Sequence, residues 1–119
     1  MALAEFGVVV LDCPDPRALA GFYAEVLGGT VEGEGDWIDL KLPGGRSLAF
    51  QAAPGHVPPK WPAGEASQQF HLDLTVADLD AAEKGVLALG ARTLDAEDRS
   101  RGWRVYADPA GHPFCLCAC

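Results

Sequence analysis

HLDLTVADLDAAEKGVLALGA, residues 71–91, changes its hydrophobic period partway along. Leu72, Leu74 and Val76 alternate with Asp73, Thr75 and Ala77, the two-residue repeat of a half-buried strand. Asp78 then stands where an N-cap belongs, and the spacing predicts a helix from there through Leu89, ended by Gly90. The same order occurs earlier in VVVLDCPDPRALAGFYAEVLGG, residues 8–29. A Val-rich strand runs into Cys13-Pro14, Asp15-Pro16 opens a helix, and Gly28-Gly29 stops it. Leu19, Phe22, Tyr23, Val26 and Leu27 form one apolar face of that helix.

Each strand–helix pair is followed by three more strand patterns. In the first half these are 30–34, 36–42 and 46–52, with Pro43-Gly44-Gly45 as a turn. In the second half they are 91–95, 103–107 and 112–117, with Pro109-Ala110-Gly111 as the matching turn. The leading strands are expected over 5–12 and 68–76. Asp15 lies over Asp78 at an offset of 63, and Trp37 over Trp103 at an offset of 66. The chain thus reads as an α+β fold of two βαβββ modules. They occupy 1–53 and 68–119, in one domain, with a Pro-rich connector over 54–67. Two copies are too few for a solenoid. The sheets are expected to pair into one curved mixed sheet with a cup, each helix covering the outer face.

Composition narrows the function. Of 119 residues, 49% are apolar and 22% charged, as in an ordinary folded domain rather than a disordered one. Nine Lys and Arg stand against seventeen Asp and Glu, a net charge of −8 without any basic run, so no nucleic-acid partner is expected. No apolar stretch approaches the roughly 18 residues of a membrane span, and no leader pattern is present, so a cytoplasmic protein is expected. Cys13, Cys115, Cys117 and Cys119 are expected to be reduced, because a bridge between alternate residues of one strand would be strained.

These pieces, with WRVYADPAGHPFCLC at 103–117, resemble the vicinal oxygen chelate superfamily, the glyoxalase/bleomycin resistance/dioxygenase fold. The segment from Asp108 to Leu116 is similar to its D-P-x-G-[NH] signature, and the PPKWP connector to a glyoxalase-like subgroup. The resemblance implies paired βαβββ modules around a U-shaped cup. Many members hold a divalent metal there, which polarises substrate oxygens. Others bind drugs without metal. Carried over, the family's ligand positions fall on Val8, Ala49, His71 and Cys115. Val and Ala cannot ligate, and two ligands are fewer than the three usual for catalytic zinc, so no metal cofactor is expected.

Strand alternation places Phe70, Leu72 and Leu74 toward the helix and His71 and Asp73 in the cup. It also places Val8, Val10, Asp12, Ala49, Gln51, Cys115 and Cys117 in the cup. His71 and Asp73 are the catalytic candidates, as a base or hydrogen-bonding pair. Val8, Asp12, Trp37, Gln51, Trp61, Trp103 and Cys115 are the ligand-binding candidates. Trp61 could lid the cup or clamp the connector, and Cys115 could be a nucleophile or a small buried hydrophobe. The leading expectation is a small-molecule binder without metal, as a homodimer. The alternatives are a metal-dependent lyase, isomerase or dioxygenase, and a non-catalytic interaction module.

Overall fold

The computed structural model describes residues 2–3, 5–62, 64 and 69–118. The connector positions 63 and 65–67, Gln68 of the expected second leading strand, and Cys119 lie outside the described residues. The chain divides into two compact units, 1–56 and 57–119. Among the described residues no helix is long and apolar enough to cross a membrane.

The first unit is β1 (Val9–Cys13), α1 (Pro16–Leu27), β2 (Thr30–Glu34), β3 (Trp37–Lys41), a short 3-10 turn (Pro43–Gly45) and β4 (Ser47–Ala52). The second is β5 (Leu72–Thr75), α2 (Leu79–Ala88), β6 (Arg92–Asp95), β7 (Trp103–Ala107) and β8 (Pro113–Cys117). Each unit has a four-stranded mixed sheet of the same order, β1-β4-β3-β2 and β5-β8-β7-β6. In each, the first strand runs parallel to the last and the other pairs are antiparallel. The two βαβββ modules read from the sequence are therefore present.

The helices begin where the caps predict. The Asp15 carboxylate accepts from the Ala18 N–H at 3.2 Å, and that of Asp78 from the Ala81 N–H at 3.1 Å. Each satisfies an amide that the first helical turn leaves without a partner. Gly29, at φ +102°, needs to be glycine twice over. Its φ is left-handed, and an added Cβ would run into the Lys41 carbonyl.

Beneath the helices the two units are packed differently. In the first unit α1 sets Leu19, Phe22 and Tyr23 against Ile38, Leu40, Leu48 and Phe50, all buried. Tyr23 stacks on Phe50 with ring centroids 5.8 Å apart. Fully burying one such side chain contributes about 2 kcal/mol. In the second unit α2 buries only Val86. At the offset of 66, Ile38 becomes Arg104 and Leu40 becomes Tyr106, both buried. Arg104 reaches the Asp80 carboxylate of α2 at 2.9 Å. The Tyr106 hydroxyl donates to Glu83 at 2.7 Å, and Arg99 donates to Glu83 at 3.0 Å. Tyr106 also stacks on Phe114, with centroids 5.8 Å apart. An ionic network thus stands where the first unit is apolar.

Three expectations need correcting. The leading strands are shorter than alternation suggests, starting at Val9 and Leu72. Phe70 is 90% exposed, so it does not pack under α2. Its strand partner row begins only at Leu72, opposite Phe114, which leaves Phe70 beyond the ladder. Lastly, Cys117 is disulfide-bonded whereas Cys13 and Cys115 keep their thiols, so the cysteines are not all reduced.

Candidate functional site

The face of the second sheet turned away from α2 carries the polar cluster. Parallel pairing sets Asp73 of β5 opposite Cys115 of β8, and antiparallel pairing sets Cys115 opposite Val105 of β7. Cys117 pairs with Trp103 one step along. Because residues two apart share a face, His71, just before β5, stands on the same side as Asp73. Trp61 comes from the Pro-rich segment. Together Trp61, His71, Asp73, Trp103, Val105, Cys115 and Cys117 line a cavity of about 420 Å³. Such a volume suits a small organic molecule.

The polar corner is open to solvent. His71 Nε2 lies 3.8 Å from an Asp73 oxygen, with the side chains 43% and 68% exposed. That distance is an electrostatic contact and too long for a hydrogen bond. Cys115 is different. Burial pushes its thiol up to about 11, helped by the Asp73 charge and their hydrogen bond, against the weaker opposing charge of Arg101. At neutral pH it is a thiol and a poor nucleophile, so the small-hydrophobe alternative describes it better.

One wall is braced by a cation. The Arg101 guanidinium sits 3.7 Å from the centre of the Trp103 ring and donates to the Trp103 carbonyl at 3.2 Å. The guanidinium is held in turn by Asp95, through both carboxylate oxygens and the backbone carbonyl, at 2.9–3.2 Å. Stacking of this kind contributes about 1 kcal/mol. Trp103 is therefore a fixed surface even though it is 42% exposed.

Of the nine site residues read from the sequence, five meet at this cavity: His71, Asp73, Trp61, Trp103 and Cys115. The other four belong to the first unit. Asp12 pairs with Gln51, and Gln51 with Trp37, so these three are neighbours on the face of the first sheet away from α1. The Trp37 indole N–H donates to Asp39 at 3.2 Å. Val8 immediately precedes β1. Val105 was not among the site residues read from the sequence. Its parity with Trp103 in β7 was the available signal.

His71, Asp73 and Cys115 also form a donor set. One ligand atom from each lies within 4.8 Å of the others. Imidazole, carboxylate and sulfur are all zinc ligands, and three is the number a catalytic site uses. Ligands of one tetrahedral ion stand about 3.5 Å apart, so these must close slightly. The residues fit a divalent ion with modest adjustment, and Asp73, not a ligand position of the family pattern, supplies the third donor. Val8 and Ala49 offer no ligand atom.

Residues 8–117 match the glyoxalase-like domain family. The chain belongs to that family. No curated protein sequence matches it. Among solved structures it is similar to a glyoxalase/bleomycin resistance protein/dioxygenase family enzyme from Burkholderia phytofirmans, at 19% identity and TM-score 0.73. That match covers 95% of this chain and 97% of the other. It is also similar to the fosfomycin resistance protein FosX from Mesorhizobium loti, at 14% identity and TM-score 0.68 over 97% and 92% of the two chains. A FosX variant from Listeria monocytogenes, solved with Mn(II) and 1S,2S-dihydroxypropylphosphonic acid, aligns at 13% identity and TM-score 0.70. That alignment covers 98% of this chain and 91% of the other. At these identities the likeness is one of fold.

Proposed function

We propose that this chain binds a small organic molecule in the cavity over β5, β7 and β8. The supporting observation is the cavity's make-up: two indoles and Val105 as apolar walls, with His71 and Asp73 as the polar corner. This is the usual composition of a small-molecule site. His71 would accept or donate a proton at a ligand atom near Nε2, with Asp73 3.8 Å away. A fragment library screened by saturation-transfer NMR, with tryptophan fluorescence as a second readout, tests the reading. Hits lost in Trp61→Ala and Trp103→Ala are expected. A screen with no hit sensitive to either substitution would overturn it.

A second reading rests on the His71, Asp73 and Cys115 donor set. A divalent ion held there would supply Lewis-acid polarisation of a ligand oxygen. Binding would release the Cys115 proton and so strengthen with pH. Metal analysis after dialysis distinguishes the two readings. Stoichiometric zinc or manganese, lost in both His71→Ala and Cys115→Ser, supports the metalloenzyme; metal-free protein that still binds fragments supports the first.

A further inference from the structure

The charge around the cavity narrows what can enter it. Among the described residues that line it, Asp73 is the only carboxylate and none is Lys or Arg, His71 being the one basic side chain. Arg101 stacks on Trp103, and its charge is balanced by the Asp95 carboxylate at 3.0 Å. The apolar walls favour a flat molecule, since indole faces stack on planar rings. The Asp73 carboxylate only accepts hydrogen bonds, so it rewards N–H donors and positive charge. An anion would have to shed water beside that carboxylate, with no Lys or Arg among the described lining residues to compensate it.

From this we infer that the cavity takes a planar nitrogen base, an amidine or amino-heteroaromatic ring carrying N–H donors or a positive charge, and rejects anions of the same shape. The ring lies against Trp61 and Trp103, and its N–H group points at Asp73. The inference rests on the small-molecule reading and adds the ligand's charge class.

Benzamidine, benzamide and benzoate provide a test, being one planar shape with charges of plus one, zero and minus one. Their dissociation constants are measured by saturation-transfer NMR on EDTA-treated protein at fixed ionic strength. Benzamidine is expected to bind at least tenfold more tightly than benzoate, with benzamide between them. In Asp73→Asn the three should fall within about threefold of one another while benzamide binding persists. That substitution separates the cavity's own field from the net charge of −8 on the whole chain. Benzoate binding as well as benzamidine, or discrimination that survives Asp73→Asn, would overturn the charge assignment and leave small-molecule binding standing. If none of the three binds while the fragment screen gives Trp-sensitive hits, the planar-base assignment is overturned by itself. Failure of both experiments removes the small-molecule reading as well.

Discussion

The network under α2 makes a quantitative prediction about Glu83. Its carboxylate accepts from the Tyr106 hydroxyl at 2.7 Å and from Arg99 at 3.0 Å, and lies 3.7 Å from Arg104. Glu83→Ala leaves the hydroxyl of a fully buried tyrosine without that acceptor. A stranded buried polar group costs about 1–3 kcal/mol. Arg104, whose Nε and Nη1 already have no hydrogen-bond partner among the described residues, would keep Asp80 as its acidic partner, which is 79% exposed and screened. The total loss should be about 2–4 kcal/mol. Tyr106→Phe removes the hydroxyl together with its need for an acceptor and should cost about 1 kcal/mol. In the double variant the stranded hydroxyl no longer exists, so the two losses should fall short of additivity by about 1–2 kcal/mol. Urea unfolding of the four proteins measures this directly. A coupling below about 0.5 kcal/mol would show that the Tyr106–Glu83 contact does not carry the stabilisation assigned to it.

Three further outcomes are expected. Burial alone would raise the Glu83 carboxyl, but the Tyr106 and Arg99 hydrogen bonds and the Arg99 and Arg104 charges hold it below its ordinary 4.5. The Arg104 hydrogen bond and charge likewise lower Asp80 below 3.8. Depressed folded-state values give stability that is present above the ordinary values and lost as pH falls through the lowered ones, so the urea midpoint should drop between pH 5 and 3. In Glu83→Gln that drop should be shallower, and an unchanged slope would count against the assignment. Since the Cys115 thiol is pushed up to about 11 from 9.0, iodoacetamide should alkylate it at pH 8 about 100-fold more slowly than a free cysteine, with Asp73→Asn faster. Mass spectrometry of timed aliquots reads both rates, and equal rates would refute the burial argument. Gly29→Ala should cost at least about 2 kcal/mol in thermal or urea unfolding, from left-handed strain plus collision with the Lys41 carbonyl.

Much of this was legible in the chain. The caps Asp15 and Asp78, the glycine stops and the paired Pro-Gly turns mark the element order, because each is a local rule needing no distant partner. The strand ends at Val9 and Leu72 were not legible, since alternation continues past the point where a neighbouring strand exists to pair with. The open face of β5 and β8 followed from parity alone. What parity does not give is reach across strands. The closeness of His71, Asp73 and Cys115 follows from the register Asp73 opposite Cys115, which tertiary pairing sets. The Arg104 network was hidden for a related reason. A charged residue in an alternating strand looks solvent-facing until the opposite helix supplies its counter-charges.

The brace on Trp103 separates two kinds of evolutionary freedom. The groups that would meet a ligand's polar atoms sit on or beside paired strands, where a shift of one residue would turn every side chain over. Arg101, which fixes the indole wall, lies between β6 and β7, outside the ladder. Insertions and substitutions there tilt or release the wall without disturbing the strands beneath it. Descendants of this chain could change which molecules they accommodate by editing that short connection, while His71, Asp73 and Cys115 stay where they are.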